Sequence, residues 1–387
     1  MIISILGTAG RDFKTKEKVS FFYDCMCLEK KSGEFCNSLD MLLEHYPDEE
    51  GYFIGTKVAI EFQKELLRFD KKRHHFITVE DDSLDDIFEK ILELLNKEQG
   101  RTILDITHGF RHQPIMAIFA STLSQFLERK DLKIIYAKEK ERLKSYEYIY
   151  LNEYIEITQI SLLLTGFIRT LNFIPVSNMK LLDNKAFEGF SKSLLSNDLR
   201  GVERNHLLLK EELLQLKENK ELKHISNLIE KVDSELKPLE MLPYFEPYQK
   251  YILLAKMTME KNYLIVALAY IFESLRGYCS YRFESLCVTI EFKDDYAKNT
   301  AVMNTIMNFR QAKFGTEILK KYEGIYQKNK TEFKVIRKLY EKIRKRRNAL
   351  AHINTTSNFE DIKEDLREII MRVEALFSKK LLFDIKT

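Results

Sequence analysis

Short apolar runs alternate with helical periodicity through the first part of the chain. The runs fall at residues 2–6, 19–23, 52–54, 75–79, 102–106, 133–137 and 146–151. Apolar positions recur at steps of three and four over 39–46, 58–67, 84–95 and 115–129, and there the pattern predicts helices. Strands and helices in alternation predict an α/β sheet with crossover helices. After Glu153 the strand-like runs stop, and leucine-rich helical patterns follow, densest over 199–236. Pro238, Pro243 and Pro247 then interrupt the pattern, which places the start of a second, all-helical domain near there. The expected architecture is an α/β domain over 1–165, a helical linking region over 166–242, and an all-α domain over 243–387.

The 387 residues suit two domains. Lys and Arg number 62 against 59 Asp and Glu, too even a balance for a protein that coats nucleic acid or an anionic membrane with its whole surface. Any basic site must be local. Only 6 Pro and 13 Gly occur, so collagen-like and low-complexity designs are excluded. The five cysteines (Cys25, Cys27, Cys36, Cys279, Cys287) form no CxxC pair and have no histidine at ligand spacing, so free thiols are expected and zinc is not. The start of the chain lacks the basic segment and cleavage site of a signal peptide. The longest apolar candidate for a membrane span, 263–272, is about half the length a bilayer requires, and a cytoplasmic location is expected.

Two segments of the α/β half have the character of ligand loops. Residues 2–6 run into Gly7-Thr8-Ala9-Gly10-Arg11, small residues that let a ligand approach the backbone at a strand end. The same segment would serve equally as a tight turn. Neither GxGxxG nor GxxxxGK[ST] is present, which argues against a dinucleotide cofactor and against a P-loop. The second segment is Asp105-Ile106-Thr107-His108-Gly109-Phe110-Arg111-His112-Gln113-Pro114. Here a buried strand ends in polar and small residues, and Pro114 suits the first turn of a helix. Backbone amides at that helix start, with Thr107, His108 and Arg111, would cradle a phosphate or a base edge. The plainer reading is that Asp105 and His108 only hold the loop together.

Asp105-Ile106-Thr107-His108-Gly109 resembles the DxTHG motif of CARF domains, the Rossmann-like sensor modules of type III CRISPR systems. The resemblance covers about the first 165 residues. It implies a twofold dimer that binds a cyclic oligoadenylate across its axis, with Gly7, Thr8, Thr107, His108, Gly109 and Arg111 as the matching binding positions.

The helical half carries its own signal. Between Phe333 and Arg347 there are eight Lys or Arg and one acid, Glu341. Phe333, Ile336, Tyr340, Ile343 and Leu350 form a stripe at helical spacing, and Arg347 stands where that stripe needs another apolar residue. A charge in a packing seam is unfavourable unless it has a task. Ser357 with Glu360 reads as a capping box, which ends the preceding helix near Ile353 and puts His352 in its last turn. There the helix dipole favours an imidazolium. Metal-free RNA cleavage needs a 2′-hydroxyl deprotonated, a 5′-oxygen protonated and the phosphorane charge held, the last a task for the forked donors of Arg. Arg347 and His352 lie about 140° apart around one helix, so a site shared by two such helices of a dimer would bring them together better.

Arg347-Asn348-Ala349-Leu350-Ala351-His352 resembles the Rx4-6H signature of HEPN ribonucleases. By that resemblance Arg347 stabilises the phosphorane, His352 moves protons, Asn348 orients one of them, and Arg344, Lys345 and Arg346 hold the RNA backbone. The two resemblances together imply a metal-independent endoribonuclease switched on by cyclic oligoadenylate in antiviral defence, with no cofactor beyond that activator. Two rivals remain at this level: a non-catalytic regulator whose basic helix merely binds nucleic acid, and a sensor domain that also opens its cyclic ligand. His74, His75, His206, His224 and Glu273 read as structural or solvated.

Overall fold

A computed structural model describes residues 1–12, 14–80, 83–97, 100–126, 131–175, 179–284, 293–307, 330–351 and 358–378. The chain divides into two compact units. The first comprises 1–161 with 175–181, and the second 162–174 with 182–387.

The first unit is built on an eight-stranded mixed sheet. In chain order the strands are β1 (Ile2–Ile5), β2 (Phe21–Asp24), β3 (Gly33–Phe35), β4 (Gly51–Gly55), β5 (His74–Thr78), β6 (Thr102–Asp105), β7 (Leu132–Glu141) and β8 (Ser145–Tyr150). Their spatial order is β3-β2-β8-β7-β6-β1-β4-β5. β7, β6, β1, β4 and β5 run parallel, and β8 returns antiparallel beside β7. Every residue of β1 and β6 is buried, the mark of central strands covered on both faces. Side chains alternate accordingly. Ile3, Ile5 and Leu104 join the core under the helices α3 (Leu84–Lys97) and α4 (His112–Phe126), while Ile2 and Ile103 join Met41 and Leu42 of α1 (Ser38–His45) on the opposite face. Helix α2 (Lys57–Leu66) follows β4 directly, capped by the Thr56 hydroxyl.

From β1 the chain first forms the β2–β3 pair at the far edge, then comes back to β4 and β5 on one side of β1 and goes on to β6 on its other side. The strand order therefore reverses between β1 and β6, which opens a crevice at their carboxyl ends. Gly7-Thr8 and Thr107-His108-Gly109 leave the sheet at that place.

Helix α5 (Asn152–Thr170) begins in the first unit and ends in the second. The described helices that follow are α6 (Asn184–Leu195), α7 (Leu199–Glu218), α8 (Ser226–Leu236), α9 (Pro247–Glu260), α10 (Leu264–Glu284), α11 (Asp295–Met307), α12 (Lys330–Ala351) and α13 (Phe359–Ser378). α10 is the central one. Ala267, Leu268, Tyr270, Ile271, Leu275 and Cys279 are fully buried on it, which explains an apolar run too short for a membrane. Among the described residues, no helix is long and apolar enough to cross one.

The prolines expected to open a separate domain after a linking region over 166–242 do not mark a boundary. Pro238 and Pro243 lie in a 3-10 turn, and Pro247 occupies the first turn of α9. Contacts bridge the stretch instead: the buried Tyr270 hydroxyl donates to the Leu194 carbonyl, and Lys250 pairs with Glu203 at 2.6 Å. The capping function expected of Ser357, which lies outside the described residues, falls on Asn358, whose Oδ1 accepts the Asp361 N–H at 2.8 Å.

Candidate functional site

The sensor-like crevice is organised by one buried carboxylate. Asp105 pairs in register with Ser4 of β1 and is wholly buried. Its Oδ2 accepts the Ser4 hydroxyl at 2.9 Å and the Ser38 hydroxyl at 2.7 Å. Its Oδ1 accepts the Thr107 backbone N–H at 3.0 Å and the Thr107 hydroxyl at 2.5 Å. The Thr107 hydroxyl in turn accepts the Ala137 N–H at 2.9 Å. Thr107, expected to face a ligand, therefore has both its hydroxyl and its N–H engaged inside the protein. It braces the loop from β6 to α4 against β7.

Glycine permits the two loops to touch. A Cβ on Gly7 would meet the Gly109 nitrogen and the His108 Cβ, each at 3.1 Å. Gly109 itself has a φ of +101°, and a Cβ there would lie 2.6 Å from both Ile5 Cγ2 and Gln113 Oε1. On the β1 side, Gln63 Nε2 donates to the carbonyls of Gly7 at 2.7 Å and Ala9 at 3.1 Å, and Asn37 Nδ2 donates to Ala9 at 2.8 Å. Gln63 is buried at a position of α2 that the apolar stripe should fill, and that mismatch was the available sequence signal. Ser4, Ser38 and Asn37 gave none.

His108 is half-buried with Nε2 3.5 Å from the Ser38 N–H, the first residue of α1. Burial lowers its pKa, opposed by the Asp105 charge. An imidazolium would turn an N–H against the positive end of a helix, so the neutral ring with its proton on Nδ1 is the form the contact requires. Because the folded pKa lies below the unfolded value of about 6.5, the unfolded chain binds more protons as pH falls past that value. Stability should then drop from pH 7 toward pH 5.5, and less steeply in His108→Gln. Denaturant titrations of both proteins at the two pH values test this; parallel losses would show that His108 contributes nothing to the slope.

Thr8 and Arg111 are exposed at the rim, as is Phe110, stacked on the His112 ring. Gln113 lies in the first turn of α4 with Oε1 on the Phe110 N–H at 3.1 Å, and its buried Nε2 has no partner among the described residues. The crevice thus offers an imidazole, glycine backbone and the exposed Arg111 at its rim, a set fitted to phosphate or base edges.

The second site lies on α12. Phe333, Ile336 and Ile343 are buried, and Arg347, next along the same stripe, is half-buried. Its guanidinium carbon stands 4.6 Å from the centre of the Phe272 ring on α10. Asn348, Arg344 and Lys345 are exposed. Arg346, expected to hold RNA, instead reaches Asp365 of α13 in an ion pair, joined by Lys342 at 3.4 Å from Asp365 and 2.7 Å from Glu368. That set clamps α12 to α13. His352 lies outside the described residues. Among the described residues, no group of three or more His, Cys, Asp or Glu is arranged to hold a metal ion.

No family model matches the chain, and no curated protein matches it. Among solved structures the chain is similar to Enterococcus italicus Csm6 bound to cyclic hexa-2′-fluoro-hexa-dAMP, at 11% identity and a TM-score of 0.42, over 99% of this chain and 95% of that one.

Proposed function

We propose that the protein is an endoribonuclease of the CRISPR-associated CARF–HEPN type, activated by cyclic oligoadenylate and cutting single-stranded RNA without a metal ion. The observation that carries the reading is Arg347. A half-buried guanidinium held over an aromatic ring at the end of a strongly basic helix, beside the exposed Asn348, suits a developing phosphorane charge better than it suits packing. His352 would move the protons, and the exposed Arg344 and Lys345 would hold the RNA backbone.

The crevice between β1 and β6 supports a nucleotide ligand through Gly7, His108, Gly109 and Arg111. Ile115, Phe119 and Leu123 form an exposed apolar stripe at steps of four along α4, the helix that starts beside this crevice. The stripe favours a twofold dimer, in which one cyclic ligand meets two copies of the loop. The ligand would act by its higher affinity for one of two dimer arrangements.

Cleavage of a fluorescent single-stranded RNA in EDTA, with and without cyclic tetra-adenylate or cyclic hexa-adenylate, tests the whole reading. Cleavage should require an activator and vanish in His352→Ala. Tight activator binding with no cleavage under any condition would replace the ribonuclease by a nucleotide-sensing regulator.

A further inference from the structure

Helix α10 presents Phe272, Glu273 and Arg276 within one turn. Arg276 is almost wholly buried and its donors are taken: one goes to Glu273 at 2.7 Å, and others to the Thr300 hydroxyl and the Tyr296 carbonyl. Its guanidinium carbon lies 4.8 Å from the Tyr296 ring centre and 5.3 Å from that of Phe272. Phe272 also meets Tyr340 of α12, their centres 5.2 Å apart. The Phe272 ring is therefore fixed on several sides, and Glu273 offsets the charge of Arg276 beside it.

Against this fixed ring Arg347 sits as well, closer than Arg276 and without the further partners that Arg276 has. Arg276 and Arg346 give donors to carboxylates. Among the described residues, Arg347 forms neither an ion pair nor a hydrogen bond, and the Phe272 ring lies within cation–π range of it. A guanidinium attracted to a ring face keeps its N–H edge available, whereas one locked to a carboxylate does not.

We propose that Phe272 is a positioning residue for Arg347, holding the guanidinium through the ring's π face so that its forked edge is presented to the scissile phosphate. The proposal rests on the ribonuclease reading for the identity of that phosphate. The hold itself does not.

The test compares the full chain with Phe272→Leu, which keeps an apolar side chain of similar reach, and Phe272→Tyr, which keeps the ring. With activator present, Phe272→Leu should lower kcat roughly tenfold, with KM and the shape of the pH profile unchanged, and Phe272→Tyr should restore most of the rate. In parallel, the Nε–H signal of Arg347, assigned by its loss in Arg347→Lys, should be shifted by the ring current in the parent and in Phe272→Tyr, and relax toward the free-arginine position in Phe272→Leu. Should the leucine variant fail to fold, a fluorinated phenylalanine at 272 weakens the π face in nearly the same volume and should lower kcat in the same direction. An unchanged kcat in a folded variant lacking the π face, or an Arg347 signal indifferent to residue 272, would overturn the proposal. Absence of cleavage by the parent, with the Arg347 signal still moving, would instead sink the ribonuclease reading and leave the aromatic hold standing.

Discussion

Arg347→Ala should lower the rate of activated RNA cleavage by about 10²–10³-fold, the usual loss when a donor aimed at developing charge is removed. The reason lies in the seam. The half-buried side chain continues the stripe of Phe333, Ile336 and Ile343 on α12 and lies against Phe272, where an alanine leaves no donor to meet a phosphorane. Arg347→Lys should recover little, because an ammonium supplies a point charge without the planar fork. Replacing the exposed Arg344 and Lys345 together should act differently: weaker RNA binding and a shallower salt dependence, with kcat nearly kept. Single-turnover cleavage at saturating RNA separates the two classes, with thermal melting as the control for folding. Arg347→Ala with the parental rate would remove this residue from the chemistry.

What the chain made readable follows from which interactions are local. The strands of the parallel core were visible because β1 and β6 are buried on both faces, so that their short runs are mostly apolar, with Ser4, Thr102 and Asp105 as the polar exceptions. β3 escaped because Gly33-Glu34-Phe35 is too short to show a period and gains its place only by pairing with β2. The proline cluster misled for a related reason. Prolines report that a helix stops, and they say nothing of whether the helices on either side share a core, as Tyr270 and Leu194 do. Arg347 was legible as a charge interrupting an apolar stripe. Its partner Phe272 was not, since a phenylalanine on a central helix looks like any other core residue until its neighbours are known. Asp105 stood out within its motif, yet Ser4 and Ser38, which donate to it from far along the chain, carried no pattern at all.

Those donors make Asp105→Ala the largest expected loss of stability in the first unit. The wholly buried carboxylate accepts the hydroxyls of Ser4, Ser38 and Thr107 and the Thr107 N–H, the two serine bonds fully buried and the two threonine bonds partly so. Its removal leaves several buried donors without acceptors and should destabilise the unit by about 3–4 kcal/mol. Asp105→Asn should recover only part, because its NH₂ adds donors to a site that already has four. The effect reaches the crevice through Thr107, whose hydroxyl links Asp105 to the Ala137 N–H and so fixes where His108 and Gly109 sit. Activator binding should therefore weaken even where the variant remains folded. Exposed Thr8 and Arg111 provide the contrast: Thr8→Ala and Arg111→Ala should leave denaturant unfolding unchanged and lower only the affinity for cyclic oligoadenylate. Unfolding and binding titrations on the same three variants distinguish the two roles, and an Asp105→Ala protein as stable as its parent would mean that the four hydrogen bonds do not organise this loop.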